Sequence, residues 1–185
     1  MRFDTLPEFI SEDEQQALVS WFDCNLDSPR NLKPGFDGDG REYAYRFTSR
    51  ALKGSVEYPD TAYRIFERIR ARYGYEKKAT QPSLKDGMFA IATRPGGDTF
   101  AHMDANEGIG EEYITFNILI QKPEVGGVLY TEEDEKRERL LEERMLHAYA
   151  ASVYRHGVTR VGGAINRYLW VFRLLMPLDE WEPVA

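Results

Sequence analysis

The sequence predicts an α+β fold, with helices packed outside a β-sandwich or barrel. Three observations carry that reading. A capped amphipathic segment lies near the N-terminus and a second apolar stripe near residue 60. From residue 87 onward, short apolar or alternating runs are separated by turns bearing Pro and Gly. The 185 residues suit one domain over 1–185, with 1–80 as helical support and 87–175 as the β core. Apolar residues make up 42% of the chain and aromatics 13%, enough to build that core.

The elements follow in order. Ser11-Glu12-Asp13-Glu14 reads as a capping box: the serine accepts from a free backbone amide and Glu14 reaches back. Behind it Ala17, Leu18, Trp21 and Phe22 recur at helical spacing, so a helix is expected over about residues 11–24. Residues 25–42 hold two Pro and three Gly and read as a loop long enough to serve as a lid. A second helix starts near Asp60, with Tyr63, Phe66, Ile69 and Tyr73 as its apolar stripe and Arg64, Glu67, Arg68 and Arg70 off it. MFAIAT (88–93) is a strand ended by the turn Arg94-Pro95-Gly96-Gly97-Asp98, and TFAHMD (99–104) follows as another. YITFNILIQ (113–121) alternates, with Ile114, Phe116, Ile118 and Ile120 on one face and Thr115, Asn117, Leu119 and Gln121 on the other. Pro123 and Gly126-Gly127 turn the chain into VLY. The charged run 131–147 reads as a solvated helix or excursion. AYAASVY leads to Arg155-His156-Gly157, and INRYLWVFRLL (165–175) is the clearest strand.

Charge and composition exclude several classes. With 24 basic against 31 acidic side chains the net charge is -7, which argues against a protein that grips nucleic acid by neutralising phosphates. The one cysteine, Cys24, excludes an internal disulfide and a Cys-rich zinc site. Residues 1–10 have no apolar stretch of the signal-peptide kind and no run is long enough to span a bilayer, so a soluble cytoplasmic protein is expected.

The chemistry concentrates in the strand-rich part. His102 and Asp104 are two apart on an expected strand and so share a face. An imidazole and a carboxylate placed this way can bind one metal ion, with His156 as third ligand if the sheet closes on itself. Two His and one carboxylate on one side of an ion form the facial triad of non-haem Fe(II) oxygenases, which leaves positions open for co-substrate and O₂. Arg167, on a long apolar strand, needs a carboxylate partner if it points inward, and its planar guanidinium suits a bidentate one. Alternation places Arg167, Leu169, Val171 and Arg173 on one face, with Tyr168, Trp170 and Phe172 on the other. Asn117, on the polar face of its strand, is a candidate to point into the barrel, and Thr115 and Tyr130 are weaker ones. His147 has no carboxylate two residues away and reads as structural or solvent-facing.

His102-x-Asp104, His156 and Arg167 together resemble the 2-oxoglutarate- and Fe(II)-dependent dioxygenases, especially the prolyl-hydroxylase-like superfamily. RPGGDTFAHMD, NILIQKPEVGGVLY, HGVTRVGGAINRYLWVF and the N-terminal LPEFISEDEQQALVSWF carry the likeness over most of the chain, with 87–175 as its specific part. The resemblance implies a double-stranded β-helix core of the jelly-roll, cupin-like kind. It implies His102, Asp104 and His156 as Fe(II) ligands and Arg167 as the partner of the distal carboxylate of 2-oxoglutarate. Succinate and CO₂ would be released, with O₂ as second co-substrate and ascorbate as a candidate activator. Relatives that halogenate have a small residue in place of the carboxylate ligand, so Asp104 favours hydroxylation. Arg167 and Arg173 together resemble the two arginines of AlkB-like demethylases, in which the second also holds the keto acid. Where many relatives have a keto-acid-binding Tyr just before the Pro-Gly turn, this chain has Thr93.

Three functional readings follow. One is an oxygenase hydroxylating a small molecule, amino acid or peptide, with 25–42 and 105–112 as lid and rim. A second is an AlkB-like demethylase of a modified nucleobase, against which the acidic balance counts. The third is an inert β-helix binding module, which has no physical need for a buried arginine facing a metal triad.

Overall fold

The computed structural model describes residues 3–26, 44–48, 57–73, 87–104, 112–132, 136–139 and 141–176. In chain order the elements are β1 (Phe3–Leu6), α1 (Glu12–Asn25), β2 (Ala44–Thr48), α2 (Asp60–Arg72), β3 (Gly87–Thr93), β4 (Thr99–His102), β5 (Glu112–Gln121), β6 (Val125–Gly126), β7 (Leu129–Glu132), β8 (Lys136–Arg139), β9 (Leu146–Ala150), β10 (Arg155–Val158), β11 (Val161–Gly162) and β12 (Arg167–Met176). A larger sheet runs β1-β9-β5-β12-β3-β2 and a smaller one β4-β10-β7-β8, with β6 and β11 as a separate ladder. All of these strand pairings are antiparallel.

The helices form where local chemistry dictates and cover the outer face of the larger sheet. Ser11 Oγ accepts from the Glu14 amide while the Glu14 carboxylate accepts from the Ser11 amide, so both halves of the capping box are made. Leu18 and Phe22 of α1 are fully buried. The Phe22 ring stacks on Tyr168 with centroids 4.3 Å apart, and the Tyr168 hydroxyl donates to Asp23 at 2.8 Å. Along α2 the buried line is Thr61, Ala62, Ile65, Ile69 and then Tyr73. The expected stripe is therefore shifted: Tyr63 is 49% exposed and Phe66 only half-buried, because the compact Ala62 and Ile65 let the helix sit closer to the sheet. Each large apolar side chain buried this way contributes about 1.5–3 kcal/mol.

The inner face of the larger sheet looks toward the smaller one. Leu119, Tyr149, Leu169 and Val171 of the larger sheet form one apolar cluster with Leu129 of β7. The register arranges the inner face in rows. Tyr149, Thr115 and Arg173 lie abreast, as do His147, Asn117 and Val171, while Arg167 pairs with Thr93 at the far end.

Three expectations change. The run 131–147 is not a helix: it finishes β7, supplies β8 and begins β9, and β8 (Lys-Arg-Glu-Arg) is an edge strand whose charges suit a sheet margin. Residues 1–80 are not purely helical support, since β1 and β2 form the two edges of the larger sheet. The strand 99–104 stops at His102. Apart from Asn25, Leu26 and Glu112, the loops 25–42 and 105–112 lie outside the described residues.

Two buried features generate predictions. Gly127 has φ +64, and a Cβ there would lie 2.6 Å from Pro123 Cγ and 3.0 Å from Arg167 Cδ. Gly127→Ala should therefore destabilise the protein by about 1–3 kcal/mol and displace Arg167, as checked by urea denaturation. His147 is 4% exposed, stacks on Phe3 at 5.1 Å, and among the described residues has no hydrogen-bond partner on either ring nitrogen. Burial, reinforced by the Arg139 charge and opposed by Asp4, pushes its pKa down to about 4. The unfolded chain, with a histidine near about 6.5, then binds the extra proton first. Stability is full above that value and declines as pH falls toward 4, by an amount on the order of 3 kcal/mol. His147→Phe should flatten this slope in denaturation curves recorded between pH 7.5 and 4.5; an unchanged slope would contradict the assignment.

Candidate metal centre

β4 and β10 are neighbours in the smaller sheet, and their register sets His102 directly opposite His156. The ring centroids are 4.5 Å apart. Each imidazole is oriented by a carbonyl two residues earlier: His102 Nδ1 lies 2.8 Å from Phe100 O and His156 Nδ1 lies 3.0 Å from Tyr154 O. Donation from Nδ1–H leaves the Nε2 lone pair as the ligand position on both rings.

Asp104 reaches the same point by a different route from strand alternation. It lies beyond the end of β4, placed by its backbone N–H, which donates to Ala151 O in the turn before β10 at 2.9 Å. Its Oδ1 is 3.6 Å from His102 Nε2. One ligand atom from each of His102, Asp104 and His156 falls within 4.8 Å of the others, the one such group of His, Cys, Asp or Glu among the described residues.

The electrostatics favour the ligating forms of Asp104 and His156. Burial alone would raise the Asp104 carboxyl, but the hydrogen bond from His102 and the charges of Arg173 and His156 outweigh it and hold the group well below the usual carboxylate range. The same carboxylate raises the pKa of His102, toward a protonated form whose Nε2 proton a metal would displace, whereas burial lowers that of His156. An ionised carboxylate and imidazole nitrogens on one side of a point suit a divalent first-row metal and leave its remaining positions open.

The other expected site residues lie on the larger sheet. Arg167 is 2% exposed. Its Nε donates to Gly127 O at 2.8 Å, and among the described residues it makes no ion pair with a carboxylate. Burial pushes its pKa down to about 10, so it remains a cation at neutral pH. Thr93, its cross-strand partner on β3, is buried beside it. Asn117 and Thr115 also face inward, and Asn117 Oδ1 and Thr115 Oγ1 are buried without a hydrogen-bond partner among the described residues. Arg173 is turned to the His-Asp-His group: it forms an ion pair with Asp104 Oδ2 and lies over the Phe89 ring at 5.3 Å. Tyr130 does not join this group. It is paired with Gly157, so alternation puts it on the opposite face of the small sheet from His156.

The structure adds Tyr149, absent from the sequence-derived candidates. It is 1% exposed and presents its ring edge-on to His156, with centroids 5.2 Å apart. The alternation in LHAYA carried the signal, since Leu146, Ala148 and Ala150 join the helix-covered core while His147 and Tyr149 face inward.

No family model matches this sequence, and no curated protein matches it. Solved structures do. The structure of HygX from Streptomyces hygroscopicus with nickel, 2-oxoglutarate and hygromycin B bound superposes with a TM-score of 0.62 at 14% identity, over 97% of this chain and 85% of that one. A prolyl-4-hydroxylase from Pseudomonas putida gives a TM-score of 0.66 at 11% identity, over 94% of this chain and 91% of that one. SnoN, a non-haem α-ketoglutarate-dependent epimerase of nogalamycin biosynthesis, gives 0.68 at 12% identity, over 94% and 78%. With its two facing sheets and flanking helices, the chain has the double-stranded β-helix fold of these structures.

Proposed function

We propose that the protein is an Fe(II)- and 2-oxoglutarate-dependent dioxygenase that hydroxylates a small molecule, an amino acid or a peptide. One observation carries this reading: a buried arginine without a carboxylate partner among the described residues lines the same interior as a His-Asp-His cluster. A buried cation of this kind is costly unless a ligand supplies the anion. The donor set fits Fe(II), and the orphaned atoms of Asn117 and Thr115 fit a polar co-substrate.

In this reading His102, Asp104 and His156 hold the metal, and Arg167 with Thr93 takes the distal carboxylate of 2-oxoglutarate. Asn117 lines the keto-acid pocket. Arg173 neutralises the second oxygen of Asp104, which keeps that carboxylate ionised and its other oxygen directed at the metal position. Iron with 2-oxoglutarate and O₂ supplies the oxidation of a C–H bond, with release of succinate and CO₂. The walls formed by Leu119, Leu169 and Val171 keep water from the interior. HygX was solved with hygromycin B, and another structure of this fold, a Trichoplax adhaerens prolyl hydroxylase, with a hypoxia-inducible-factor peptide, which supports a substrate of either size class here. The nucleobase reading has only the Arg167–Arg173 pair in its favour and the net charge of -7 against it.

Three measurements test the proposal. The wild-type protein with Fe(II), ascorbate, 2-oxoglutarate and air should form succinate even without added substrate. Absence of succinate, together with no charge-transfer absorption on adding 2-oxoglutarate to the anaerobic Fe(II) protein, would favour the inert binding module. His102→Ala and Asp104→Ala should each lose metal binding and turnover together, as read by calorimetry with Fe(II). Arg167→Ala should retain the metal yet weaken 2-oxoglutarate binding by about 2–5 kcal/mol.

A further inference from the structure

We propose that His147 anchors a second ligand subsite in the interior, apart from that for the keto acid, which takes an uncharged hydrogen-bonding group of the primary substrate, an amide or a hydroxyl. The subsite follows from the placement of β9; only its assignment to a primary substrate rests on the dioxygenase reading.

Three observations support it. First, the imidazole is set into the interior with its polar atoms unused. His147 is 4% exposed, and neither ring nitrogen has a hydrogen-bond partner among the described residues. Its ring stacks on Phe3 at 5.1 Å and has Tyr149 5.6 Å away, so aromatic walls surround a polar tip. Buried polar atoms left this way are costly unless a ligand or water completes them. Second, its neighbour is short of a partner too. Asn117 lies directly opposite on β5, with the two Cβ atoms roughly 5 Å apart, and Asn117 Oδ1 is also buried and unpaired among the described residues. Third, the place does not suit the distal end of 2-oxoglutarate. Arg167 is on β12, and β5 separates β12 from β9, a span of roughly 10 Å at the usual strand spacing.

The unpaired atoms select the ligand. A neutral imidazole offers one donor and one acceptor, and Asn117 Oδ1 is a second acceptor, so the ligand must bring N–H or O–H groups. A keto acid dianion or any other carboxylate brings none. An ammonium group would donate, but Arg139, which lies over the Phe3 ring at 4.1 Å, places a like charge beside the stack. An amide or hydroxyl donates and accepts without charge.

NMR of histidine-labelled protein tests this, because the chain has three histidines. The two whose ring signals move on adding Zn(II), a diamagnetic stand-in for iron, are His102 and His156, and the third reports His147. With Zn(II) and 2-oxoglutarate bound, acetamide or ethanol is expected to shift the His147 ring nitrogens saturably, whereas acetate and methylammonium at matched ionic strength leave them in place. His147→Phe, which keeps the stack on Phe3, should reduce saturation transfer to the probe about fivefold or more. Ring signals indifferent to all four probes would mean that water alone completes the histidine, and would overturn the proposal. So would a response only to acetate or methylammonium, or full saturation transfer in the variant. If the protein binds Zn(II) but no 2-oxoglutarate, the dioxygenase reading fails by itself. The titration then runs on the Zn(II) protein, and a shift there keeps the subsite while overturning its assignment to a primary substrate.

Discussion

β12 is a ten-residue strand buried on both faces, and the molecule is organised around that constraint. It pairs with β5 along one edge and β3 along the other. Its even-numbered residues Tyr168, Trp170 and Phe172 form the surface on which both helices rest. Its odd-numbered residues Arg167, Leu169, Val171 and Arg173 line the interior. A strand with period two cannot shift register without exchanging these sets, which would bury three aromatics in the site and drive two guanidinium groups under the helices. The aromatic packing of Trp21, Phe22 and Tyr58 on Trp170 therefore also fixes where the arginines point.

The interior carries an electrostatic cost. Desolvating a guanidinium costs several kcal/mol, and the single carbonyl of Gly127 offsets only part of that for Arg167. Arg173 and Asp104 compensate each other across the two sheets. Thr115, Asn117 and His147 leave polar atoms unpaired in the same region. A core selected for stability alone would replace these groups with aliphatic ones, and a concentration of unsatisfied polarity is what a binding interior looks like before its ligand is counted.

The division of labour between the sheets explains how the site is assembled. The smaller sheet brings His102 opposite His156, and the turn before β10 holds Asp104 through the Ala151 carbonyl. The larger sheet brings the cations and amides. At the site itself Tyr149, on the larger sheet with its ring against His156, and Arg173, reaching Asp104, join the two. The site is thus sensitive to the spacing of the sheets, which the Leu119, Leu129, Leu169 and Val171 cluster maintains.

Local rules were sufficient for much of this molecule. The capping box at Ser11 and the period-two pattern of 113–121 and 165–175 were legible because each depends on residues within a few positions of one another, whereas Asp104 joins His102 through the remote Ala151 carbonyl. Where the sequence misled, the deciding contact was remote. The charged run 131–147 has no apolar period to mark it as strand, and it pairs because β7 and β9 are already fixed at either end. Ala62 displaces Tyr63 from the buried face of α2 because the fit against the sheet, not hydrophobicity, selects the face. The alternation in LHAYA puts Tyr149 and His147 on one face, but that this face lines the site is decided only when β9 is set beside β5. By itself the sequence determined which residues could bind a metal and a carboxylate and which faces they shared. The tertiary structure decided which of them meet, because strand pairing between distant segments is set by sheet assembly and leaves no periodicity in the chain.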